Sequence, residues 1–301
     1  MFGIGHSSFK NVTCECLQNN LAFMGDTLQI INSNTSLYAV LGDPISHSLS
    51  PVMHNSAFFH ANYNGVYLAF RVEEIGKAIS GIRALGIKGA GITIPHKVKV
   101  MEILDEIDDT AEKIGAVNTI VNRQGKITGY NYDSIGAVKA VKEKTKINDK
   151  SVAILGAGGA ARAVGYGIVS EGGRLTILNR TKESGEKLAA DLCSEFCPLE
   201  DFKKIKCDIL INTTSLGMAP NLNKMPVEKK NLNKGMIVMD IVYNPLRTPL
   251  LKVAQNIGCT TIDGVSMFVY QGACQFELWT EKKAPVDLMR KTVLKALGSN
   301  S

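Results

Sequence analysis

From Leu37 onward short apolar runs alternate with amphipathic stretches, a rhythm that predicts strands and helices in turn. The runs at 37–42, 65–71, 87–94 and 116–123 read as strands, and 51–62, 73–85 and 97–104 carry the helical period between them. A helix over 133–143 leads through a polar linker, 144–150, into a second series. Its expected strands are 151–155, 174–179, 207–212, 236–240 and 260–263, with helices at 160–171, 181–196 and 248–256. Two more helices, 266–280 and 285–297, complete the pattern. The expected fold class is α/β: two α/β domains with a cleft between them, one built from 37–132 plus 266–301 and the other from 133–265. Residues 1–36 lack a sustained period and read as an extension, with a short helix around 14–24.

Composition narrows the function classes. Hydrophobic residues at 45% and charged residues at 21% are ordinary for a globular chain and exclude a disordered one. No apolar run reaches the ~20 residues that cross a bilayer, and 1–36 has no signal-peptide pattern. The formal charge of +6 favours anionic ligands only weakly, because the signs alternate, as in Lys182-Glu183 and Glu186-Lys187. No basic block marks a nucleic-acid arm. The seven cysteines are odd in number and include no paired C-x-x-C, so reduced thiols in a cytoplasmic protein without a metal are expected.

The strand at 151–155 runs directly into Gly156-Ala157-Gly158-Gly159-Ala160-Ala161, a G-x-G-x-x-A pattern opening a helix. Gly156 suits the tight turn, Gly158 lets the backbone approach a pyrophosphate, and Ala161 keeps helix and strand close. The free N–H groups of the helix start would meet the phosphates. A purely structural glycine turn is the competing reading; the strand–turn–helix–strand context favours a dinucleotide. At the next strand end, where NAD sites place an acid, stand Asn179, Arg180 and Thr181. With no carboxylate to repel a 2′-phosphate and a guanidinium able to fork onto it, NADP is expected over NAD. A solvated basic turn is the alternative.

Candidate substrate contacts lie in the first half. Ser48, Ser50 and Pro51 follow the first strand; helix capping explains Ser50 and Pro51 but leaves Ser48 without a reason. Two hydroxyls beside a helix start also suit a carboxylate. Thr93 ends a strand, and Lys97 begins the next expected helix, where the dipole is unfavourable to a cation. Asn118 interrupts an apolar run, so its amide needs partners that a polyol would supply. Asp133 sits at another helix start, where a capping role is as natural as a catalytic one.

In this order the motifs resemble the shikimate dehydrogenase family, over about 37–297, together with Asn212-Thr-Thr-Ser-Leu-Gly217-Met218, Asp240-Ile-Val-Tyr243-Asn-Pro245, Thr248-Pro-Leu-Leu251 and Gly264-Val-Ser-Met267-Phe-Val-Tyr-Gln271. The resemblance implies an N-terminal substrate domain, a Rossmann-type NADP-binding domain, and reversible NADPH-dependent reduction of 3-dehydroshikimate without a metal. It implies that Ser48 and Ser50 hold the substrate carboxylate, that Thr93, Asn118, Asp133 and Gln271 bind ring hydroxyls with Tyr243 close by, and that Lys97 and Asp133 form the catalytic pair. Gly156, Ala157, Gly158, Gly159, Ala160 and Ala161 would carry the pyrophosphate, Asn179, Arg180 and Thr181 the adenosine phosphate, and Gly217, Met218, Gly264 and Met267 the nicotinamide surroundings. The expected partner is a small-molecule substrate, with no nucleic acid or membrane, in a monomer or homodimer. A quinate-preferring enzyme and a non-catalytic NADP-binding sensor are the alternatives. The chain departs from the common pattern at Asp43, Gly91, Tyr132, Ser134 and Ser184. Gly91 stands where an Asn is frequent, and Ser184 where some members have a second phosphate-binding Arg.

Overall fold

The computed structural model describes residues 31–298, so the extension expected at 1–36, apart from its end at 31–36, and its short helix lie outside the described residues. The first series runs β1 (Ser36–Gly42), α1 (Ser50–His60), β2 (Gly65–Arg71), α2 (Ile75–Leu85), β3 (Gly89–Ile92), β4 (Glu106–Ile107), α3 (Asp109–Ile114), β5 (Thr119–Arg123) and β6 (Lys126–Tyr130). Its sheet has the order β2-β1-β3-β5-β6-β4. β1 pairs in parallel with β2 and β3, whereas β5 is antiparallel to β3 and β6.

After α4 (Asp133–Lys142) come β7 (Ser151–Leu155), α5 (Gly159–Ser170), β8 (Arg174–Asn179), α6 (Lys182–Asp191), β9 (Glu195–Pro198), β10 (Ile209–Asn212), β11 (Ile237–Asp240), α7 (Pro249–Ile257) and β12 (Thr260–Ile262). The second sheet is ordered β12-β11-β10-β7-β8-β9 with every pairing parallel. That is the doubly wound arrangement, whose order reverses between β7 and β10 and leaves a crevice at their carboxyl ends. Continuous runs such as Val152–Leu155 are buried on both faces, as a covered parallel sheet requires.

Finally α8 (Gly264–Thr280) and α9 (Val286–Ala296) return to the first sheet. Phe276 and Trp279 of α8 pack with Tyr38 and Phe58, while Met267 of the same helix packs in the core of the second sheet with Ile154 and Ile262. α4 contributes Ala137, Ala140 and Val141 to that second core. The two helices touch at Gly136, where a β-carbon would lie 2.8 Å from the Met267 carbonyl oxygen. Glycine is what lets them cross so closely.

Two expectations are corrected, and one strand is new. The helix expected at 97–104 is a 3-10 turn, Lys99–Ile103, because only Val100 there is buried and no apolar stripe exists to dock a full helix. The helix expected over 181–196 stops at Asp191, since Cys193 takes a positive φ of 48° and the chain re-enters the sheet as β9. The hairpin partner β6 was not expected; Gln124 and Gly125, at φ 55° and 90°, form the tight turn that pairs Arg123 with Lys126.

Candidate active site

Four residues singled out in the sequence meet at one place. Lys97 Nζ lies 2.5 Å from Asp133 Oδ2, with the side chains 15% and 6% exposed. The lysine precedes the 3-10 turn and starts no α-helix, so the dipole argument lapses; its position is explained by Asp133 instead. Asp133 is not a cap either. Tyr132 holds the cap position of α4, and the Asp133 carboxylate is used by side chains. Its Oδ1 accepts from Asn118 Nδ2 at 2.8 Å.

Asn118 finds its partners inside the protein rather than from a ligand alone. Its Oδ1 accepts from Thr119 Oγ1 at 2.7 Å and the Tyr132 amide at 3.0 Å, and Nδ2 also reaches Gln271 Oε1 at 3.5 Å. Gln271 is fixed in turn by donation to the Phe268 carbonyl at 2.8 Å. A buried carboxylate with both oxygens engaged is held in one orientation.

The serines lie at the start of α1. Ser50 is its first helical residue, not its cap; Leu49 occupies that position and no side chain caps the helix. The Ser48 hydroxyl accepts from the Ser50 amide at 3.3 Å. Tyr243 stacks on Phe268, with centroids 4.2 Å apart. Burial raises its phenol above the ordinary range, opposed by the Leu49 backbone and the Ser48 hydroxyl beside it. Thr93 follows β3 and packs its methyl against Gly42, where no β-carbon fits. The loop bearing Tyr243 is anchored by Asp240, which accepts from Thr248 Oγ1 at 2.7 Å, Asn212 Nδ2 at 2.9 Å and the Val242 amide at 3.1 Å. Burial pushes the Asp240 carboxyl up to about 6 against these donors.

Below this site lies a pair that the motif reading missed. His54 of α1 stacks on Tyr67 of β2, centroids 4.5 Å apart, and both rings are buried. Neither imidazole nitrogen nor the Tyr67 hydroxyl has a hydrogen-bond partner of ordinary geometry among the described residues. Desolvation pushes His54 down to about 3, so the ring is neutral. Only the H-N in Met53-His54-Asn55, inside an otherwise apolar helix face, hinted at it.

The glycine turn after β7 fits a dinucleotide. Gly156 has φ +112°, a conformation that L side chains rarely adopt. Gly158 caps α5, and a β-carbon there would project into open space. The helix start has no side-chain cap and no acid in its first turn, so its N–H groups are available to phosphate. Ala161 is fully buried against the sheet. Gly159 reaches the other half of the molecule, a β-carbon there meeting Lys97 Cβ at 3.1 Å. Asn179 ends β8 and Arg180 follows it, Thr181 holds the cap position of α6 without a side-chain cap bond, and Gly217 and Met218 follow β10 on the same carboxyl edge. Gly264 packs on the Ile241 carbonyl, whereas Met267 is buried in the core rather than open to the cleft.

The chain matches three family models: the shikimate dehydrogenase substrate binding domain over 40–120, shikimate/quinate 5-dehydrogenase over 138–265, and the shikimate 5'-dehydrogenase C-terminal domain over 264–294. It is 44% identical over 275 residues to a shikimate dehydrogenase (NADP(+)) of Bacillus mycoides (strain KBAB4), covering 87% of this chain and 99% of the relative. A solved shikimate dehydrogenase in complex with NADP+ superposes with a TM-score of 0.85 at 41% identity, over 89% of this chain and 98% of that one. The Thermus thermophilus enzyme in complex with NADP(H) and shikimate gives 0.81 at 30% identity, over 87% of this chain and 100% of that one. With the doubly wound sheet, the glycine turn and the Lys97–Asp133 pair already in place, these matches settle the lineage: the chain belongs to the shikimate dehydrogenase family.

Proposed function

We infer that the protein is an NADP-dependent shikimate dehydrogenase, catalysing the reversible reduction of 3-dehydroshikimate to shikimate in aromatic amino acid biosynthesis. The observation that carries the reading is the contact between Lys97, paired with Asp133, and Gly159 of the dinucleotide turn, which puts an acid–base group beside a cofactor cradle. NADPH supplies the hydride when bound. Lys97 holds a proton at Nζ and delivers it to the substrate carbonyl oxygen as charge develops there; in the oxidative direction it takes that proton back. Asp133 orients the ammonium, and Asn118 holds Asp133 still.

The hydroxyls of Ser48 and Ser50, with Tyr243 adjacent, bind the substrate carboxylate, and Thr93, Asn118, Asp133 and Gln271 bind ring hydroxyls. Gly156 to Ala161 cradle the pyrophosphate; Asn179, Arg180 and Thr181 bind the adenosine phosphate. Gly217, Met218 and Gly264 border the nicotinamide, with Met267 supporting them from the core. In this reading 37–132 plus 266–301 is the substrate domain and 133–265 the nucleotide domain. The enzyme works in the cytoplasm as a monomer or homodimer. No described helix is long and apolar enough to cross a membrane.

Mixing the protein with shikimate and NADP+ and following absorbance of the reduced cofactor tests the reading, with quinate and NAD+ in parallel. Faster turnover with quinate, or none with either acid, would replace it. A protein that only bound NADP would have no use for the Lys97–Asp133 pair.

A further inference from the structure

A cavity of about 660 Å³ opens beyond the end of β8. Its lining includes four cations, Arg180, Lys182, Lys203 and Lys230, and two acids, Glu200 and Glu228. Lys230 is already committed to Glu228 at 2.7 Å, and Lys182 lies 3.7 Å from Glu186. Arg180 and Lys203 make no ion pair with another described residue, so they are the uncompensated positive charges of the cavity. They reach it from different elements: Arg180 follows β8, and Lys203 belongs to the 3-10 segment Leu199–Lys204 after β9. Apolar surface from Leu199 and Val227 lines the same space.

Position 184 explains why a cation from elsewhere is needed. The Ser184 hydroxyl accepts from Asn179 Nδ2 at 2.8 Å and donates to the Thr181 carbonyl at 3.2 Å. Asn179 Nδ2 also donates to that carbonyl at 2.8 Å. The first turn of α6 thus spends its side chain on fixing the turn after β8 and presents no second guanidinium. A 2′-phosphate carries nearly two negative charges and is poorly balanced by Arg180 alone.

We propose that Lys203 is the second anchor of the NADP(H) 2′-phosphate, acting opposite Arg180 across this cavity and determining cofactor specificity together with it. The assignment rests on the NADP reading above. Glu200, on the same 3-10 segment, limits how far the cavity favours anions in general, so selectivity falls to the geometry of the two free cations.

Isothermal titration of the full chain with NADP+ and with NAD+ tests it, since the two differ only in that phosphate. Lys203→Ala should weaken NADP+ by about 10- to 150-fold, the range of one charge-assisted hydrogen bond, and leave NAD+ within about twofold. Lys203→Glu should weaken NADP+ further. Lys230→Ala, which removes a cation already paired, should change NADP+ by no more than about threefold, as expected for an exposed ion pair. Lys203 is exposed, so a thermal melt matching wild type is expected for both of its variants. Unchanged NADP+ affinity in Lys203→Ala, or equal loss of both cofactors, overturns the assignment while leaving the NADP reading intact. Wild-type protein that binds both cofactors equally overturns the NADP reading and the assignment with it.

Discussion

Gly159 and Lys97 stand in direct apposition: a β-carbon at 159 would lie 3.1 Å from Lys97 Cβ and 3.5 Å from its Cδ. The glycine turn of one half therefore sets how far the lysine of the other half can retreat. Gly159→Ala should displace the lysine stem by a few tenths of an ångström. Overpacking of this kind costs about 1–2 kcal/mol, so kcat/KM for shikimate should fall by about 5- to 30-fold. Steady-state kinetics decides the matter, and an unchanged kcat/KM would mean that the two residues are not mechanically coupled.

Lys97→Ala removes the proton donor and leaves Asp133 with Asn118 as its remaining side-chain partner. A drop in kcat of about 10²–10⁴ is expected, with KM for shikimate changed much less. Retention of more than about a third of wild-type kcat, far outside the range for an acid–base group, would remove Lys97 from the catalytic role.

His54 gives a stability prediction. Its imidazole, pushed down to about 3 by burial, must charge on unfolding at any pH below its ordinary value. The unfolded chain then binds more protons than the folded one, so stability present above pH ~6.5 is lost as pH falls toward 3. His54→Phe removes this proton uptake. Between pH 7.5 and pH 4 its stability relative to wild type should rise by at most about 3 kcal/mol, from 1.36 kcal/mol per unit over ~2.5 units. Urea denaturation at the two pH values measures it, and parallel profiles for the two proteins would contradict it.

Thr248 both caps α7 and donates to Asp240. Asp240 has a raised carboxyl, so its stability contribution runs opposite to that of His54: the folded state holds the proton more tightly, and stability declines as pH rises from about 4 through about 6. Above that range the buried carboxylate depends on its donors. Thr248→Val should cost about 2–3 kcal/mol at pH 8, lowering Tm by about 4–12 °C, and distinctly less at pH 5, where the hydrogen bond is between neutral groups. An equal loss at both values would show that Asp240 does not titrate there.

The doubly wound half was legible because its strands are continuous apolar runs, each closed by a recognisable turn. Val152–Leu155 before Gly156 is the plainest case. Short edges were not legible. β4 is two residues long, and β9 follows a helical-looking stretch that Cys193 breaks. In the site, the sequence pointed to Asn118 as a buried amide in need of partners, and that need is real. What it could not reveal was who meets it, since Thr119, Tyr132, Asp133 and Gln271 arrive from three elements. The same holds for His54 and Tyr67, which stack across a distance of thirteen positions without any local motif. Capping logic misled at Ser50 and Asp133 because both are the first helical residue, one position past the cap.

The close crossing at Gly136 also decides where this chain can be cut and rejoined with a relative. α4 and α8 interlock there, so a hybrid must inherit both helices from one parent, or a β-carbon from the other will strike the Met267 carbonyl. α4 and Met267 of α8 supply the core of the second sheet, whereas Phe276 and Trp279 of α8 pack in the first, so α8 ties the two halves together. Asp133 on α4 and Gln271 on α8 then travel together, whichever parent supplies Lys97, Ser48 and Ser50. A graft of the first sheet alone would bring in only part of a new substrate preference.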